Sequence, residues 1–197
     1  MKIENSPYKL ELTYGIFFAL ISIIINLIIW ATGLMEKGGL MTTFFISLFQ
    51  LGILVIFLLY CTKSYRDNLL RGKITFGQAF LFALIIVIFS SVITGFYTFI
   101  FNKFIDPEFM SRVMQAIQDK TYQFMANQGV PEDQIEQAML KFEEQTPQSA
   151  VDTMISSLTS GLIGGSIIAL ITSAIVKKNT GRNNDFEDAM SGLKSEE

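Results

Sequence analysis

Apolar and polar residues follow one another along this chain in long blocks, and four apolar blocks contain no Asp, Glu, Lys or Arg. A helix rises about 1.5 Å per residue, so about 20 residues cross a hydrocarbon layer of about 30 Å. Each block has that length or more. They predict four transmembrane helices: Tyr14–Leu34, Thr42–Cys61, Phe76–Phe101 and Met154–Val176.

The polar block between the third and fourth spans predicts an insert of two amphipathic helices. Residues 106–108 (Asp-Pro-Glu) are typical of a helix start with Asp106 as the N-cap, and residues 127–129 (Asn-Gln-Gly) of a helix end. Residues 131–133 start a second helix, in which apolar residues recur at helical spacing. Residues 146–147 (Thr-Pro) then cap a third helix that leads into span four.

The distribution of charge predicts the orientation of the spans. The connection between spans two and three carries four basic residues and one acid, and basic residues also follow span four. The insert carries four basic residues against nine acids. By the positive-inside rule, both termini are cytoplasmic and the insert lies outside. The net charge of −3 is too small to indicate nucleic-acid binding.

Together these patterns predict an all-α integral membrane protein with a two-helix amphipathic extracytoplasmic insert between spans three and four. It divides into five segments: a cytoplasmic N-terminus (1–13), spans one to three (14–101), the insert (102–153), span four (154–176) and a cytoplasmic mobile tail (177–197).

The composition lacks the residues of common reactive centres. There is no histidine, which removes His-dependent acid–base and nucleophilic catalysis and the commonest metal ligand. The one cysteine, Cys61, cannot form an internal disulfide or a thiolate cluster. Acidic and Met side chains in the insert are better explained by a solvated face and by packing than by metal binding. We expect a protein that is not an enzyme, with no cofactor and no metal.

The connection between spans two and three carries a recognisable motif. Residues 65–80 read Tyr-Arg-Asp, then a Gly, then Thr-Phe-Gly-Gln-Ala-Phe. This resembles domain of unknown function 4199, a bacterial family of four-span inner-membrane proteins, over about residues 14–176. The resemblance implies the four-span architecture and a location in the bacterial inner (cytoplasmic) membrane, and it implies no particular activity.

The residues of this turn have structural explanations. Thr75 and Gln78 have the spacing of a capping box, and Gly72 suits a turn with positive φ. Arg66, Arg71 and Lys73 are candidates for contact with anionic headgroups or with the acidic loop of a partner. We favour the structural explanation, with the binding site as the alternative.

Span four carries a ridge of small residues at every fourth position: Ser157, Gly161, Gly165, Ala169 and Ser173. Such ridges let another helix approach closely. The partner is span one or three of the same chain, or span four of a second copy in a homo-oligomer. We favour the same chain, because a four-span bundle must use such a face.

Within the predicted spans the polar residues are uncharged, notably Asn26, Gln50 and the hydroxyl residues of spans three and four. Ion-coupled transporters usually place ionisable groups at membrane depth, so this pattern argues against one. We interpret Asn26 and Gln50 as interhelical hydrogen-bond partners.

These observations favour a non-enzymatic accessory or scaffold that contacts another membrane protein, such as a lipid-linked envelope enzyme, or a lipid of the bilayer. The alternative is a small oligomeric channel or carrier for an uncharged or lipidic solute. A membrane enzyme is a third class, which the missing histidine and the missing intramembrane charge disfavour.

Overall fold

A computed structural model describes residues 7–145 and 149–177. The described residues form helices with no strand among them. The elements are α1 (Pro7–Thr32), α2 (Leu34–Asn68), α3 (Phe76–Ile100), a π-helical turn (Phe101–Ile105), α4 (Phe109–Asn127), α5 (Glu132–Gln145) and α6 (Ala150–Val176).

Four of these helices are long and apolar enough to cross a membrane, which confirms the predicted all-α membrane fold. The candidate spans are Tyr8–Thr32, Met41–Asn68, Phe76–Ile105 and Ala150–Val176. They extend beyond the apolar blocks, because helical hydrogen bonding continues into the polar flanks. One consequence is that Glu11 lies inside the first helix.

α3 is the centre of the bundle, with α6 and α1 packed against it, while α2 contacts α4 and α6. The main core cluster joins residues of α2, α3 and α6, including Leu58, Phe82 and Ala169. α1 and α2 are joined through Gly33, whose φ of 62° lets the chain reverse in a very short connection. α2 then has a kink at Gly39.

The turn between α2 and α3 has the predicted capping box. The Thr75 hydroxyl accepts from the Gln78 amide at 3.3 Å, and the Thr75 amide donates to Gln78 Oε1 at 3.1 Å. Gly72 has a φ of 81°, and Arg71 beside it also has a positive φ, of 52°. We call this end of the bundle the turn end.

The opposite end, which carries α4 and α5, is the insert end. Both predicted insert helices are present, with Gly129 (φ 73°) between them. The prediction that Asp106 is the N-cap of α4 is wrong: α4 begins at Phe109 with Glu108 as its N-cap, and no side chain caps it. The Asp106 carboxylate is occupied by Trp30 and Arg112 instead.

The start of span four differs in detail from the predicted third cap. Residues 146–148 lie outside the described part of the chain. Ser149 is the N-cap of α6, and its hydroxyl accepts from the Asp152 amide at 3.1 Å. The predicted tail from residue 178 onward and the first six residues also lie outside the described part.

Candidate functional site

A cleft of about 490 Å³ lies between α1, α2, α3 and α6, in the half of the bundle nearer the insert end. Eleven of its 21 lining residues carry a hydroxyl or an amide, and no Asp, Glu, Lys or Arg is among them. Its polar side chains include Asn26, Gln50, Ser91, Tyr97, Ser157 and Ser160. Its volume falls in the range of small-molecule pockets.

Several hydroxyls of the cleft donate to the backbone of their own helix. Ser22 donates to the Phe18 carbonyl at 2.9 Å, Ser90 to Val87 at 3.0 Å and Thr98 to Thr94 at 2.8 Å. Each donor is therefore used, while the hydroxyl oxygen keeps its capacity to accept. These residues offer a ligand acceptors and few donors.

The donors come from other side chains. The Asn26 Oδ1 accepts from the Tyr97 hydroxyl at 3.0 Å, which joins α1 to α3 as the predicted interhelical bond. The Asn26 amide group has no acceptor among the described residues. Gln50, exposed on α2, makes no hydrogen bond within that part of the chain, contrary to the interhelical role expected of it.

Both amides lie within candidate membrane spans, where an unpaired amide is unusual. Burying an amide without a hydrogen bond costs about 1–3 kcal/mol in proteins, and hydrocarbon supplies no partner. Asn26 and Gln50 both border the cleft. A molecule in the cleft that carries carbonyl, ester or hydroxyl oxygens would satisfy both amides.

The cleft stays open because α6 presents glycines to it. A Cβ at Gly164 would meet nothing within 4 Å. Gly165, the next residue, is buried against α3, and a Cβ there would overlap the Val87 side chain. Gly165 also lines the cleft, so the rotation of α6 places the cleft beside the α3–α6 contact, with the Cβ position open at Gly164 and closed at Gly165.

The predicted ridge of α6 lies on the packed face. A Cβ at Gly161 would come within 2.9 Å of Ser91 Oγ, and Ala169 and Ser173 are fully buried. Ser157 is half-buried and borders the cleft. The same-chain neighbour of the ridge is α3.

The three basic residues predicted to contact headgroups are not gathered into one site. Arg66 pairs with Asp67 through Nε at 2.7 Å, and its Nη1 donates to the Val176 carbonyl at 3.3 Å. Arg66 thereby ties α2 to the end of α6. Arg71 and Lys73 are exposed on the turn.

Sequence reasoning missed a polar cluster at the insert end. Arg112 of α4 makes two hydrogen bonds to the Asp106 carboxylate, at 2.7 and 3.0 Å, and also contacts Glu36 Oε1 at 3.1 Å. Trp30 Nε1 donates to Asp106 Oδ2 at 2.9 Å. We call these four residues the insert latch, because they join α1, α2 and the start of α4.

The electrostatics of the latch follow from its hydrogen bonds. Bonds from Arg112 and Trp30 lower the pKa of Asp106 from its ordinary 3.8 to about 2. The same pairing raises the pKa of Arg112. The only sequence signal was Trp30, the single tryptophan, near the end of the first apolar block.

Glu11 is the second residue that sequence reasoning missed. Glu11 precedes the predicted span Tyr14–Leu34 but lies within the longer first candidate span, Tyr8–Thr32, and only 5% of it is exposed. Glu11, Gly15 and Ala19 are all buried at helical spacing. This i, i+4 pattern was the available signal.

Comparison with known families assigns this chain to one of them. The model of a family described as "Protein of unknown function (DUF4199)" matches residues 13–178, which is most of the 197 residues. The chain therefore belongs to that family, as the motif of residues 65–80 indicated. No curated protein and no solved structure matches it.

Proposed function

We propose that this member of the family is a non-enzymatic membrane accessory that binds an uncharged or lipidic molecule in the cleft. The observation that carries this proposal is the pair of unpaired amides, Asn26 and Gln50, on a cleft whose lining has no charged residue. Charged headgroups would require counter-charges to be buried with them. A ligand with ester, carbonyl or hydroxyl groups requires none.

The cleft suits the glycerol and ester region of a lipid. Its apolar lining, which includes Phe18, Leu51 and Leu54, can hold the first carbons of acyl chains. Its amides can donate to ester oxygens, while its hydroxyls accept. Ser47, Gln50 and Ser160 are exposed along the cleft, so a lipid can enter from the side of the bundle.

The test is to measure which lipids remain bound. We would purify the protein in mild detergent and identify bound lipid by native mass spectrometry. Gly164→Leu fills open space, so we expect it to reduce bound lipid several-fold without unfolding the protein. Ile163→Leu, a residue 60% exposed on the same helix, is the matched control. Equal lipid content in the two variants would refute the proposal.

The second candidate is a channel or carrier for an uncharged solute, alone or as a homo-oligomer. The uncharged polar lining of the cleft favours it, because such a lining can pass a hydroxylated solute without favouring ions. We would reconstitute the protein in liposomes and follow glycerol entry by light scattering. Flux above that of empty liposomes, abolished by Gly164→Leu, would favour transport over an accessory role.

Contact with another membrane protein belongs to the same accessory proposal. Arg71 and Lys73 are exposed at the turn end, whereas Arg66 is held by Asp67 and the end of α6. We therefore assign partner or headgroup contact to Arg71 and Lys73, with a lipid-linked envelope enzyme as the proposed partner. In-cell crosslinking of the double variant Arg71→Gln, Lys73→Gln should lack a crosslinked species that the wild-type protein forms. An unchanged pattern would remove this role.

The orientation that we propose places the turn end and both termini in the cytoplasm of a bacterial inner membrane. The basic residues of the turn and the acidic insert support it. In a Cys61→Ser background, an impermeant thiol reagent on intact cells should label Gln128→Cys and not Asn68→Cys. The reverse result would invert the topology.

A further inference from the structure

The polar side chains that line the cleft divide into hydrogen-bond donors and acceptors. The amide groups of Asn26 and Gln50 are donors without a partner among the described residues. Five lining hydroxyls donate to a carbonyl of their own helix, which leaves each oxygen able to accept from a ligand. They are Ser22, Ser47, Ser90, Thr94 and Thr98. The cleft therefore offers a ligand two amide donors and a larger number of acceptors.

This set of groups fits a ligand that both accepts and donates. A ligand with ester groups alone could accept from Asn26 and Gln50, but its oxygens would also face hydroxyl oxygens that have no proton left to donate. A buried acceptor that gains no donor is unfavourable. A free hydroxyl on the ligand supplies that donor. The complementary ligand therefore carries at least two ester or carbonyl oxygens and at least one free hydroxyl.

The depth of the cleft in the membrane limits the charge that its ligand can carry. The candidate spans have 25 to 30 residues, which at about 1.5 Å per residue matches a whole bilayer with its headgroup layers. The bonded pair Asn26 and Tyr97 lies six and eight residues before the span ends at Thr32 and Ile105. That is about 9–12 Å from the insert end, whereas one headgroup layer takes up about 5–8 Å. The pair therefore lies at the level of the hydrocarbon.

A phosphate group is poorly suited to this level. A phospholipid whose esters reached Asn26 would draw its phosphate below the headgroup layer, and the cleft lining has no Lys or Arg to pair with it. An unpaired charge away from water is strongly unfavourable. Arg112, at the insert end, is already paired with Asp106 and Glu36. A lipid whose third glycerol oxygen is a free hydroxyl carries no charge and supplies the missing donor.

We propose that the cleft binds diacylglycerol, a lipid with two acyl esters and one free hydroxyl. This inference rests on the proposed function and names its ligand. The amides of Asn26 and Gln50 donate to the ester carbonyls, and the free hydroxyl of the lipid donates to lining hydroxyl oxygens such as those of Thr94 and Thr98. The acyl chains leave by the open side of the cleft, where Gln50 and Ser160 are exposed.

The test uses three lipids that differ only at the third glycerol oxygen: dioleoylglycerol, its acetyl ester and dioleoylphosphatidic acid. The full-length protein, delipidated in detergent, is incubated with equal amounts of all three, and bound lipid is quantified by native mass spectrometry. We expect bound dioleoylglycerol to exceed its acetyl ester about tenfold, because the ester cannot donate a hydrogen bond. Phosphatidic acid should bind least. Gly164→Leu, which fills the cleft, measures the lipid that is bound elsewhere.

Two kinds of variant separate recognition of the hydroxyl from recognition of the esters. The double variant Thr94→Val, Thr98→Val keeps the side-chain shapes and removes two acceptors, so the preference for dioleoylglycerol over its acetyl ester should fall at least threefold. Gln50→Leu removes a donor to the esters and should lower binding of both lipids without changing their ratio. Thr32→Val is the matched control, because the Thr32 hydroxyl also donates within its own helix, to the Ile28 carbonyl at 2.9 Å, but lies outside the cleft.

The outcomes distinguish this inference from the proposed function. If dioleoylglycerol and its acetyl ester bound equally and Gly164→Leu lost both, the cleft would remain a lipid site and the diacylglycerol inference would be overturned. Phosphatidic acid bound as well as dioleoylglycerol, and lost in the same variant, would overturn it too. Equal binding of every lipid by the wild-type protein and Gly164→Leu would refute the proposed function itself. Thermal unfolding shows which variants are folded, and the comparison of lipids on the wild-type protein requires none of them.

Discussion

Two adjacent glycines of α6 border the same cleft, yet the space around their Cβ positions differs. Gly165 packs against Val87 of α3, where no Cβ fits, and Gly164 borders a cleft, where a Cβ would touch nothing. On the packed face, small residues permit close approach of two helices. On the cleft face, they leave space for another molecule. A small residue in a membrane helix can therefore let another helix approach or leave space for a ligand, and which of these it does depends on the structure that faces it.

The same contrast holds for polar groups. The carboxylate of Asp106 in the insert latch accepts from two side chains. In the cleft, the amides of Asn26 and Gln50 lack acceptors among the described residues. Paired groups hold the insert on the bundle, and unpaired ones are available to a ligand.

The largest expected effect comes from breaking the packed face. Gly165→Leu must displace Val87 and should destabilise the protein by about 3 kcal/mol or more, or prevent folding. Gly161→Leu, against Ser91, should act in the same direction. Thermal unfolding in detergent measures both.

The controls for that prediction are two isoleucines of α6. Ile163→Leu is exposed and should be silent. Ile168 lies off the ridge but is only 8% exposed and belongs to the core, so Ile168→Leu should cost up to about 1.5 kcal/mol. If Gly165→Leu were as stable as Ile163→Leu, the α3–α6 packing described here would be incorrect.

A smaller effect is expected at the insert latch. Asp106→Asn keeps the shape of the side chain and removes its charge, and should cost about 1–2 kcal/mol, because Arg112 is partly exposed. Faster proteolysis of the insert, with the spans intact, would accompany the loss. Glu108→Gln, an exposed neighbour outside the latch, is the control. Equal proteolysis of the two variants would show that the latch does not hold the insert.

The latch also predicts a dependence on pH. The pKa of Asp106 is lowered on folding, from 3.8 to about 2, so the carboxylate stabilises the folded state fully above about pH 4. That contribution should be lost as pH falls from about 4 towards 2. A plot of stability against pH should show a smaller decline in Asp106→Asn than in the wild-type protein over this interval. Parallel curves would mean that Asp106 is not paired in solution.

Gln50 allows a test of the unpaired amides that border the cleft. Because its amide makes no hydrogen bond within the described part of the chain, Gln50→Leu should leave stability unchanged or raise it by about 0.5–1 kcal/mol in detergent. Asn26→Leu removes the bond from Tyr97 and should lower stability by about 0.6 kcal/mol. A loss above 1 kcal/mol for Gln50→Leu would indicate that the residue has a protein partner, such as a second copy.

The smallest stability effect is expected at Gly164. Gly164→Leu enters open space, so the midpoint of unfolding should move by less than about 0.5 kcal/mol in the absence of lipid. Stabilisation of the wild-type protein by added lipid should be absent in this variant, because a ligand stabilises only the state that binds it. A variant that lipid stabilises normally would show that the cleft is not the binding site.

Local pattern alone determined the architecture of this protein. Uncharged blocks of 20 residues or more specified the four spans, because any backbone in hydrocarbon must satisfy its own hydrogen bonds. Thr75 and Gln78 specified a helix start, since a capping box involves residues only three apart. The family was also identified from a short local motif in residues 65–80.

Tertiary structure alone decided the candidate sites. Whether Gly164 or Gly165 meets α3 depends on how α6 is rotated about its axis, and residue spacing within α6 does not fix that rotation. Asp106 has Trp30 as a partner 76 residues away, and this contact displaced its expected role as an N-cap. Glu11 is buried on the same face of α1 as Gly15, which packs against α3, and this placement depends on helix packing and not on local hydropathy.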